Sequence, residues 1–474
     1  MTTLKTLSHA SCIIKNGDKT LITDPWLIGS CYWRSWWNYP PVKESIYEDI
    51  KKIDAIYITH VHWDHWHGPS LKKFFPKETL IITHKESNTR SVEDLRSMGF
   101  NNIKLLKHGE SFKLGSMILT AYQFGLAMND SALVVETPEM KLLDANDCKI
   151  AGSSLRAILK KHGQFDFALR SHSSANDRVC YSIQGSDYQM DDENHYSRSF
   201  ALFMNAVNPK FAVPFASNHC HLHKDVYHLN DLVNDPFKLE AYLSAKKLLK
   251  NNTQLKIMLS GDSWSSSTGF DIDPLNAKFF SDKSNKISEY KESVSNKLKQ
   301  FYDLENKMSP NARIVEMFAT QINSIPFFLR KKFKGFTYKM ILFNDHSQWC
   351  YIVSPFSGTV EKCEEEFENG SKILIPVKIF IDSVALNMFH HSSISKRNKY
   401  IFDNETYFKK FDQFQNLLEY VELGVFPLRL KYILRVLSMY SRRWREVFIY
   451  GKAYLLSRKG MPNYYIEEEF LKDT

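Results

Sequence analysis

The sequence predicts a layered α/β fold, and two observations lead to this prediction. Short β-prone apolar segments recur along the chain, and helical segments lie between them. Loops rich in histidine and aspartate follow several of these strands. The chain has 474 residues, of which 43% are hydrophobic and 24% are charged. This composition is typical of a globular protein with a large core and two domains.

The first half of the chain begins with a predicted hairpin. Ser11–Lys15 and Thr20–Thr23 are strand-like, and Asn16-Gly17-Asp18 between them is typical of a tight turn. Strands and helices then alternate up to about residue 270, which indicates sheets covered by helices. The later strand candidates are Ile56–Ile58, Thr79–Thr83, Ile103–Leu106, Phe112–Leu114, Met117–Gln123, Ala132–Glu136, Lys141–Leu143, Phe165–Leu169, Phe211–Phe215 and Gln254–Leu259.

The second half has a different pattern. Lys283–Lys307 is rich in charge and is predicted to be a linking helix, and Asp403–Tyr454 is a helical, aromatic tail. We therefore predict a metal-binding domain over residues 1–270, a helical linker over 271–310 and an α+β region of open role over 311–474. Strand candidates in the last region are Tyr338–Phe343, Trp349–Val353 and Ile373–Ile381.

The segment ITHVHWDHWHG, residues 58–68, is the strongest functional signal. It holds His60, His62, Asp64 and His65, directly after the short strand Ile56–Ile58. A loop at a strand end can turn several imidazoles toward one point, and neutral imidazole with carboxylate binds zinc or iron well. This density of donors predicts a metal site.

Further donors follow two later strands. Asp147 comes after Lys141–Leu143, and His219, His221 and His223 come after Phe211–Phe215. Alternate residues of an extended segment point to the same side, so any of these three histidines is a candidate ligand.

An aromatic stretch, residues 24–41, and a polar loop, residues 170–177, are candidates for substrate binding. Arg34 and Trp36 lie in the first, and Arg170 and His172 lie in the second. The arginines are suited to a phosphate or carboxylate, and the tryptophans either stack on a ring-shaped ligand or belong to the core.

Charge and cysteine content narrow the classes of partner. The net charge is +9 with no long Lys/Arg block, which favours an anionic small molecule over nucleic acid. No signal peptide and no apolar run of about 18 residues is present, so we expect no membrane partner. Seven scattered cysteines without a C-x-x-C pair indicate neither a disulfide framework nor an iron–sulfur cluster. We expect a cytoplasmic protein.

Several stretches together resemble the metallo-β-lactamase superfamily, and more narrowly the catalytic part of the CMP-N-acetylneuraminate hydroxylases and their relatives acting on UDP-muramic acids. They run in family order over most of the chain. The matching segments are DPWLIGSCYWRSWW, ITHVHWDHWHGPSLKKF, NDSALVVE, KLLDANDCK, VPFASNHCHLHKD, LVNDPFKL and VALNMFHHSSISKR. The resemblance implies an αββα sandwich with two metal ions.

The superfamily pattern also implies a ligand assignment. His60 and His62 would hold the first metal, and Asp64 and His65 would hold the second. Asp147 would bridge the two, with Asp64 and Asp147 as the catalytic carboxylates, and His223 matches the remaining family histidine best. The family's third histidine for the first metal is missing from QFGLAMND. Asp130 is the nearest substitute, and Gln123 and Asn129 are weaker ones.

Two chemistries compete on this basis. A carboxylate in place of one imidazole favours iron or manganese. The narrower resemblance implies iron and hydroxylation of a nucleotide-linked N-acyl amino sugar. The Rieske domain of those hydroxylases is absent here, so electrons would come from a separate protein. The alternative is a zinc-dependent hydrolase of a phosphodiester or ester. A metal-binding protein without turnover is the third possibility.

Overall fold

Two large sheets packed face to face form the main body of the molecule, and helices cover their outer faces. The computed structural model describes residues 1–86, 89–125, 130–173, 177–184, 194–250, 252–363, 370–458, 461 and 463–474. Leu21 and Tyr57 of the first sheet share one buried apolar cluster with Leu133 and Leu142 of the second. This arrangement confirms the predicted αββα sandwich.

The first sheet contains eight strands within the described ranges. The predicted hairpin is its centre, and Gly17 takes the positive φ of 60° that the turn requires. The strands from Lys19–Thr23 onward run parallel, so their carboxyl ends lie at one edge. In spatial order the strands are Gly269–Asp271, Ser263–Ser265, Thr2–Thr6, Cys12–Asn16, Lys19–Thr23, Ala55–Ile58, Leu80–His84 and Ile103–Leu106.

The second sheet has seven strands in the described part of the chain. The strand at its far edge, Gln254–Leu255, is shorter than the predicted span of residues 254–259. The strands are, in order, Gln254–Leu255, Phe211–Phe215, Phe167–Ser171, Lys141–Asn146, Asp130–Glu136, Met117–Phe124 and Ser111–Leu114.

Helices cover both outer faces of the sandwich. Ile46–Asp49, Gly68–Phe74 and Arg90–Ser97 pack on the first sheet. On the second sheet lie Gly152–His162, His195–Val207 and Pro236–Lys246, joined by the two last helices of the chain, Trp444–Arg458 and Asn463–Lys472. Ile449 and Phe470 of those last helices are buried in the same cluster as Leu155. The tail of the chain therefore packs on the helices of the second sheet.

A third sheet of six described strands forms the C-terminal region. Two of its strands confirm the predicted segments around 338–343 and 349–353, but one strand, Tyr181–Ile183, comes from the first half of the chain. Segments on both sides of the predicted boundaries at 270 and 310 thus pack together. The order is Tyr181–Ile183, Lys399–Phe402, Lys372–Pro376, Tyr338–Phe343, Gln348–Ser354 and Thr359–Lys362.

The predicted strand at Ile373–Ile381 is wrong in its second half. The strand Lys372–Pro376 ends at the proline, which has no N–H for a further ladder bond, and the helix Val377–Ala385 follows. Val377, Phe380 and Val384 repeat at helical spacing and are buried. The helical period therefore determined the structure of this apolar run.

The remaining helices connect these layers. The predicted linking helix is two helices that meet at Val294. The α-helices not yet given are Lys278–Ser281, Lys283–Ser293, Ser295–Glu305, Ala312–Ser324, Phe327–Arg330, Glu405–Glu422 and Leu430–Arg442, and the short 3-10 turns are Arg178–Cys180, Tyr227–Leu232, Pro274–Ala277, Lys331–Phe333 and His390–Ser395.

One expectation from the cysteines is corrected. Cys350 and Cys363 form a disulfide, with a Cα–Cα distance of 5.4 Å. The two residues lie on neighbouring antiparallel segments, where the Cys363 N–H donates to the Cys350 carbonyl. Spacing in the sequence did not indicate this contact because it arises from strand pairing.

Among the described helices, none has the length and apolar character to span a bilayer.

Candidate metal centre

The histidine-rich loop leaves the carboxyl end of the strand Ala55–Ile58 and turns back over the edge of the sandwich. His60, Asp64 and His65 are all buried. The loop is held by the Thr59 N–H and hydroxyl, which donate to the two carboxylate oxygens of Asp24 at 2.8 and 2.6 Å. It ends at His67, whose ring accepts from the Ser70 N–H and caps the helix Gly68–Phe74.

Two overlapping groups of donors result from this turn, in the part of the chain that the structure describes. His60, His65 and Asp147 form one, and His9, Asp64 and His65 form the other, each with its ligand atoms within 4.8 Å of one another. His65 Nε2 lies 3.2 Å from Asp147 Oδ2 and 3.5 Å from Asp64 Oδ2. His65 therefore lies where the two groups meet.

Asp24 fixes the orientation of the shared histidine. Its Oδ2 lies 2.8 Å from His65 Nδ1, so Nε2 is left to face Asp147 and Asp64. Asn146 donates to the same Asp24 oxygen at 2.8 Å. A carboxylate behind the ring is the usual outer partner of a metal-bound histidine. Asp24 directly follows the predicted strand Thr20–Thr23 and was not among the predicted site residues.

The electrostatics keep His60 and Asp147 in metal-binding form. Burial acts to lower the pKa of His65, but the charges of Asp64 and Asp24 hold it well above its ordinary value, so this ring must release a proton when a metal binds. Burial and the neighbouring His65 lower the pKa of His60 to about 4, so its ring is neutral at pH 7. Burial acts to raise the pKa of Asp147, but the hydrogen bond and charge of His65 outweigh it and hold that pKa at about 2. Metal binding requires neutral imidazole and ionised carboxylate. The residues present therefore fit a metal pair.

His62 and Asp130 flank His60 from two sides. His62 Nδ1 lies 2.8 Å from His60 Nε2, and Asp130 Oδ1 lies 3.9 Å from His60 Nδ1. Burial and the charge of Asp147 raise the pKa of Asp130 to about 7. Gln123 instead donates to the Lys85 carbonyl at 2.8 Å. Asn129 lies outside the described residues.

The three histidines His219, His221 and His223 lie in different surroundings. His219 Nδ1 lies 3.1 Å from the Ser217 carbonyl, its Nε2 has no hydrogen-bond partner among the described residues, and its ring is 5.7 Å from that of His9. His223 Nε2 instead lies 3.4 Å from Glu305 Oε2. The structure thus brings His219, rather than His223, next to the donor groups. His221 Nδ1 lies 3.2 Å from the Ser35 carbonyl.

Sequence reasoning missed three further residues at the centre. His9 Nε2 lies 3.2 Å from Asp64 Oδ2, and the Tyr32 hydroxyl donates to Asp64 Oδ1 at 2.7 Å. His391 has its ring 5.4 Å from that of His62, and its Nδ1 lies 3.0 Å from Glu422 Oε2. Tyr32 and His391 fall in segments that the resemblance matched, whereas His9 stands alone in the sequence without a recognisable spacing.

Of the predicted substrate-binding residues, Arg34 lies at a cavity. The cavity has a volume of about 570 Å³, and its lining includes Arg34, Trp33, Trp63, Lys378 and Asp382. Arg34 is half-buried, and its guanidinium lies 5.8 Å from the Phe301 ring centroid. This cavity borders the histidine-rich loop through Trp63.

The other three predicted residues are buried. Trp36 stacks on His219 with ring centroids 3.9 Å apart, and its indole N–H donates to the Ile394 carbonyl. Arg170 forms a 2.7 Å ion pair with Glu467 of the last helix. His172 is fully buried, which lowers its pKa to about 3. These contacts give Trp36 and Arg170 structural partners, whereas neither ring nitrogen of His172 has a hydrogen-bond partner among the described residues.

Comparison with known proteins supports the same region. A family described as "Beta-lactamase superfamily domain" matches residues 3–127. Cytidine monophosphate-N-acetylneuraminic acid hydroxylase of Mus musculus is 30% identical over 151 residues, 30% of this chain and 26% of that protein. A putative Rieske 2Fe-2S iron-sulfur protein of Mycolicibacterium smegmatis is 24% identical over 250 residues, 48% of this chain and 46% of that protein. The matched regions thus span a quarter to a half of these curated relatives.

Solved structures show weaker likeness. The isothiocyanate hydrolase from Delia radicum gut bacteria has a TM-score of 0.41 and 16% identity, and covers 56% of this chain and 98% of its own. CmlA, a diiron β-hydroxylase from Streptomyces venezuelae, has a TM-score of 0.39 and 16% identity, and covers 55% of this chain and 53% of its own.

The family match over residues 3–127 includes His9, Asp24 and the whole loop from His60 to His65. These are the residues that the structure gathers around the two donor groups. Residues 3–127 of this chain thus match the beta-lactamase superfamily domain, and the sandwich around them has the metallo-β-lactamase fold.

Proposed function

We propose that this chain is an oxygenase that uses two iron ions to hydroxylate an anionic small molecule. The observation that carries the proposal is the donor set, in which the carboxylates of Asp64, Asp130 and Asp147 are mixed with imidazoles. Oxygen donors favour harder metals than an all-imidazole site does. The curated relatives include hydroxylases that act on a CMP-linked sugar. We therefore propose a nucleotide-linked N-acyl amino sugar as the substrate class.

We assign the donors to two adjacent positions. His60, His62 and Asp130 would hold the first ion, and Asp64, His65 and His9 would hold the second. Asp147 would serve both positions, because it groups with His60 of the first and its Oδ2 lies 3.2 Å from Nε2 of His65 of the second. His219, which lies beside His9, and His391, which lies beside His62, are additional donors. Each has its Nδ1 close to an oxygen acceptor and its Nε2 without a partner among the described residues, as a metal-bound histidine would have.

The proposed reaction inserts one oxygen atom into a C–H bond. O2, two electrons and two protons convert the C–H group to C–OH and release one water. Iron, when bound, supplies the O2 chemistry. A separate electron-transfer protein would supply the two electrons, as the relative described as a Rieske protein suggests.

The chain's own residues bind and orient the substrate. Arg34 and Lys378 at the cavity supply positive charge for a phosphate, and Trp33 and Trp63 supply apolar walls for a sugar or base. The Tyr32 hydroxyl holds Asp64 in place through its 2.7 Å hydrogen bond. Burial of the loop keeps bulk water from the donors, which strengthens their interaction with charge.

Metal analysis combined with an isotope experiment tests this function. The protein is purified without oxygen, its metal content is measured, and it is incubated with CMP- and UDP-linked N-acyl amino sugars, an iron–sulfur electron donor and isotopically labelled O2. We expect about two iron ions per chain and a product that carries one labelled oxygen atom. About two zinc ions with hydrolysis of a phosphodiester, and no label in any product, would establish the hydrolase instead.

Replacing His9 or His223 separates the structural assignment from the sequence-based one. His9→Gln is expected to lower occupancy from about two ions to about one, since it removes a donor of the second position. His223→Gln is the matched control and should retain both ions, because His223 lies against Glu305. Metal content and competition with a chelator give the readout. A loss in His223→Gln with full occupancy in His9→Gln would reverse the assignment.

A further inference from the structure

The helix Leu430–Arg442 has its apolar face turned outward. Leu430, Ile433, Leu434 and Leu437 repeat at helical spacing, and between 42% and 73% of each side chain is exposed. The opposite side rests on the protein through Met439, which is buried. An ordinary surface helix buries its apolar stripe. This helix therefore leaves its stripe available to something outside the fold.

The next helix, Trp444–Arg458, continues the pattern. Trp444, Val447, Phe448 and Leu455 are exposed by 49% to 72%. Residues 428–455 contain ten of the 22 large apolar side chains that are exposed in the described part of the chain. Such a concentration is unusual on a monomer surface and marks an interaction site.

Positive charge surrounds this apolar surface. Arg429, Lys431, Arg442 and Arg445 are exposed, and none of the four has an ion-pair partner among the described residues. Residues 425–458 contain eight basic residues and one acidic residue. That acidic residue, Glu446, is buried against the Arg443 guanidinium. The surface thus combines exposed aliphatic groups with cations that are free to interact.

We propose that residues 428–455 bind the surface of a membrane rich in anionic phospholipid, with the helices lying in its plane. Apolar stripes edged by Lys and Arg are typical of in-plane helices, whose aliphatic side chains enter the acyl boundary while the cations meet phosphate. Trp444, with Arg445 stacked at 4.5 Å, has the amphipathic ring that is favoured at that boundary. This proposal revises the sequence-based expectation of no membrane partner.

A second copy of the chain is a poorer occupant of this surface. Two copies meeting through it would place the same unpaired cations against each other, and like charges across an interface oppose association. An anionic bilayer meets both requirements, because it buries the aliphatic groups and neutralises the cations.

Vesicle sedimentation with the whole chain tests the proposal. The protein is mixed with vesicles of phosphatidylserine and phosphatidylcholine, and with vesicles of phosphatidylcholine alone. We expect binding to the anionic vesicles only, weakened by added salt. The double variant Leu434→Gln/Leu437→Gln should bind them at least about tenfold more weakly, since it removes two of the inserted side chains.

The matched control is Leu275→Gln/Leu304→Gln, which removes two exposed leucines elsewhere on the surface. It should bind the anionic vesicles as the unchanged protein does. Absence of binding by the unchanged chain would overturn the proposal, as would equal binding by both double variants. A dimer in sedimentation that Leu434→Gln/Leu437→Gln dissociates, with no vesicle binding, would assign the surface to a second copy instead.

Discussion

Replacement of His65 by alanine is expected to empty the second metal position and to weaken the first, because His65 is a ligand of the second ion and its Nε2 contacts Asp147, which serves both positions. His65 is the residue that the two donor groups share, and its Nε2 lies 3.2 Å from Asp147 and 3.5 Å from Asp64. Removal of an outer partner alone typically weakens metal binding by 10–100-fold, so loss of this ligand should weaken binding more than about 100-fold. Metal content after dialysis, and affinity measured against a chelator, give the result.

His67→Asn is the matched control for this variant. His67 is buried two residues further along the same loop, but its ring caps a helix through the Ser70 N–H. Asparagine is a good helix cap, so the fold should persist and both ions should remain. If His65→Ala kept both ions at unchanged affinity, the assignment of His65 as a ligand of the second ion would be wrong. A matching circular dichroism spectrum would exclude unfolding as the cause of any loss.

Replacement of Arg397 by methionine is expected to lower the free energy of unfolding by about 3–5 kcal/mol. The Arg397 guanidinium is almost completely buried and donates to Glu305 at 2.7 and 3.0 Å and to Asp225 at 2.9 Å. Loss of one partner leaves a buried carboxylate uncompensated, which costs more than the pair itself contributes. Urea unfolding followed by circular dichroism measures the change.

The ion pair between Arg397 and Glu305 also predicts that the free energy of unfolding depends on pH. Burial acts to raise the pKa of Glu305, but the hydrogen bond from His223 and the charge of Arg397 hold it below its ordinary value. A lowered folded-state pKa means that this stabilisation is complete above the ordinary pKa and is lost as the pH falls below it. The free energy of unfolding should therefore fall less on acidification in Arg397→Met than in the unchanged protein.

Lys224→Met is the control for the buried pair. Lys224 and Asp345 form a 2.6 Å ion pair in which both side chains are more than 40% exposed. Such surface pairs contribute about 0–1 kcal/mol, so the free energy of unfolding should hardly change. Equal losses in Lys224→Met and Arg397→Met would contradict the role assigned to burial. The double variant Arg397→Met/Glu305→Leu should be more stable than Arg397→Met alone.

Much of the sandwich could be predicted from local patterns. The turn at Gly17, the strand before His60 and the strand before His219 follow from alternation, β-branched residues and turn chemistry over a few neighbouring positions. The loop His60–His65 is equally local, because four donors within six positions are typical of a metal-binding loop and rare elsewhere. Where a local pattern was ambiguous, as in the apolar run after Pro376, the helical period of the buried residues determined the structure.

The members of the site that are distant in sequence could not be predicted in the same way. His9 and Asp24 lie before the loop, and His391 lies more than 300 residues after it, each without a spacing that marks a ligand. Parallel strands place their carboxyl ends at one edge, and the packing of the C-terminal region adds His391 beside His62. The predicted candidates Arg170 and Trp36 have chemistry suited to a ligand, but their burial partners, Glu467 and His219, are visible only in the fold.

The sequence by itself determined the fold class, the position of the histidine-rich loop and the chemical types of its side chains, because these depend on contacts within a few residues. The tertiary structure decided which distant side chains face that loop, which histidine of residues 219–223 lies beside it, and which apolar stripe remains exposed. Those outcomes depend on how separate segments pack, and packing is set by the summed burial of the whole chain rather than by any one segment.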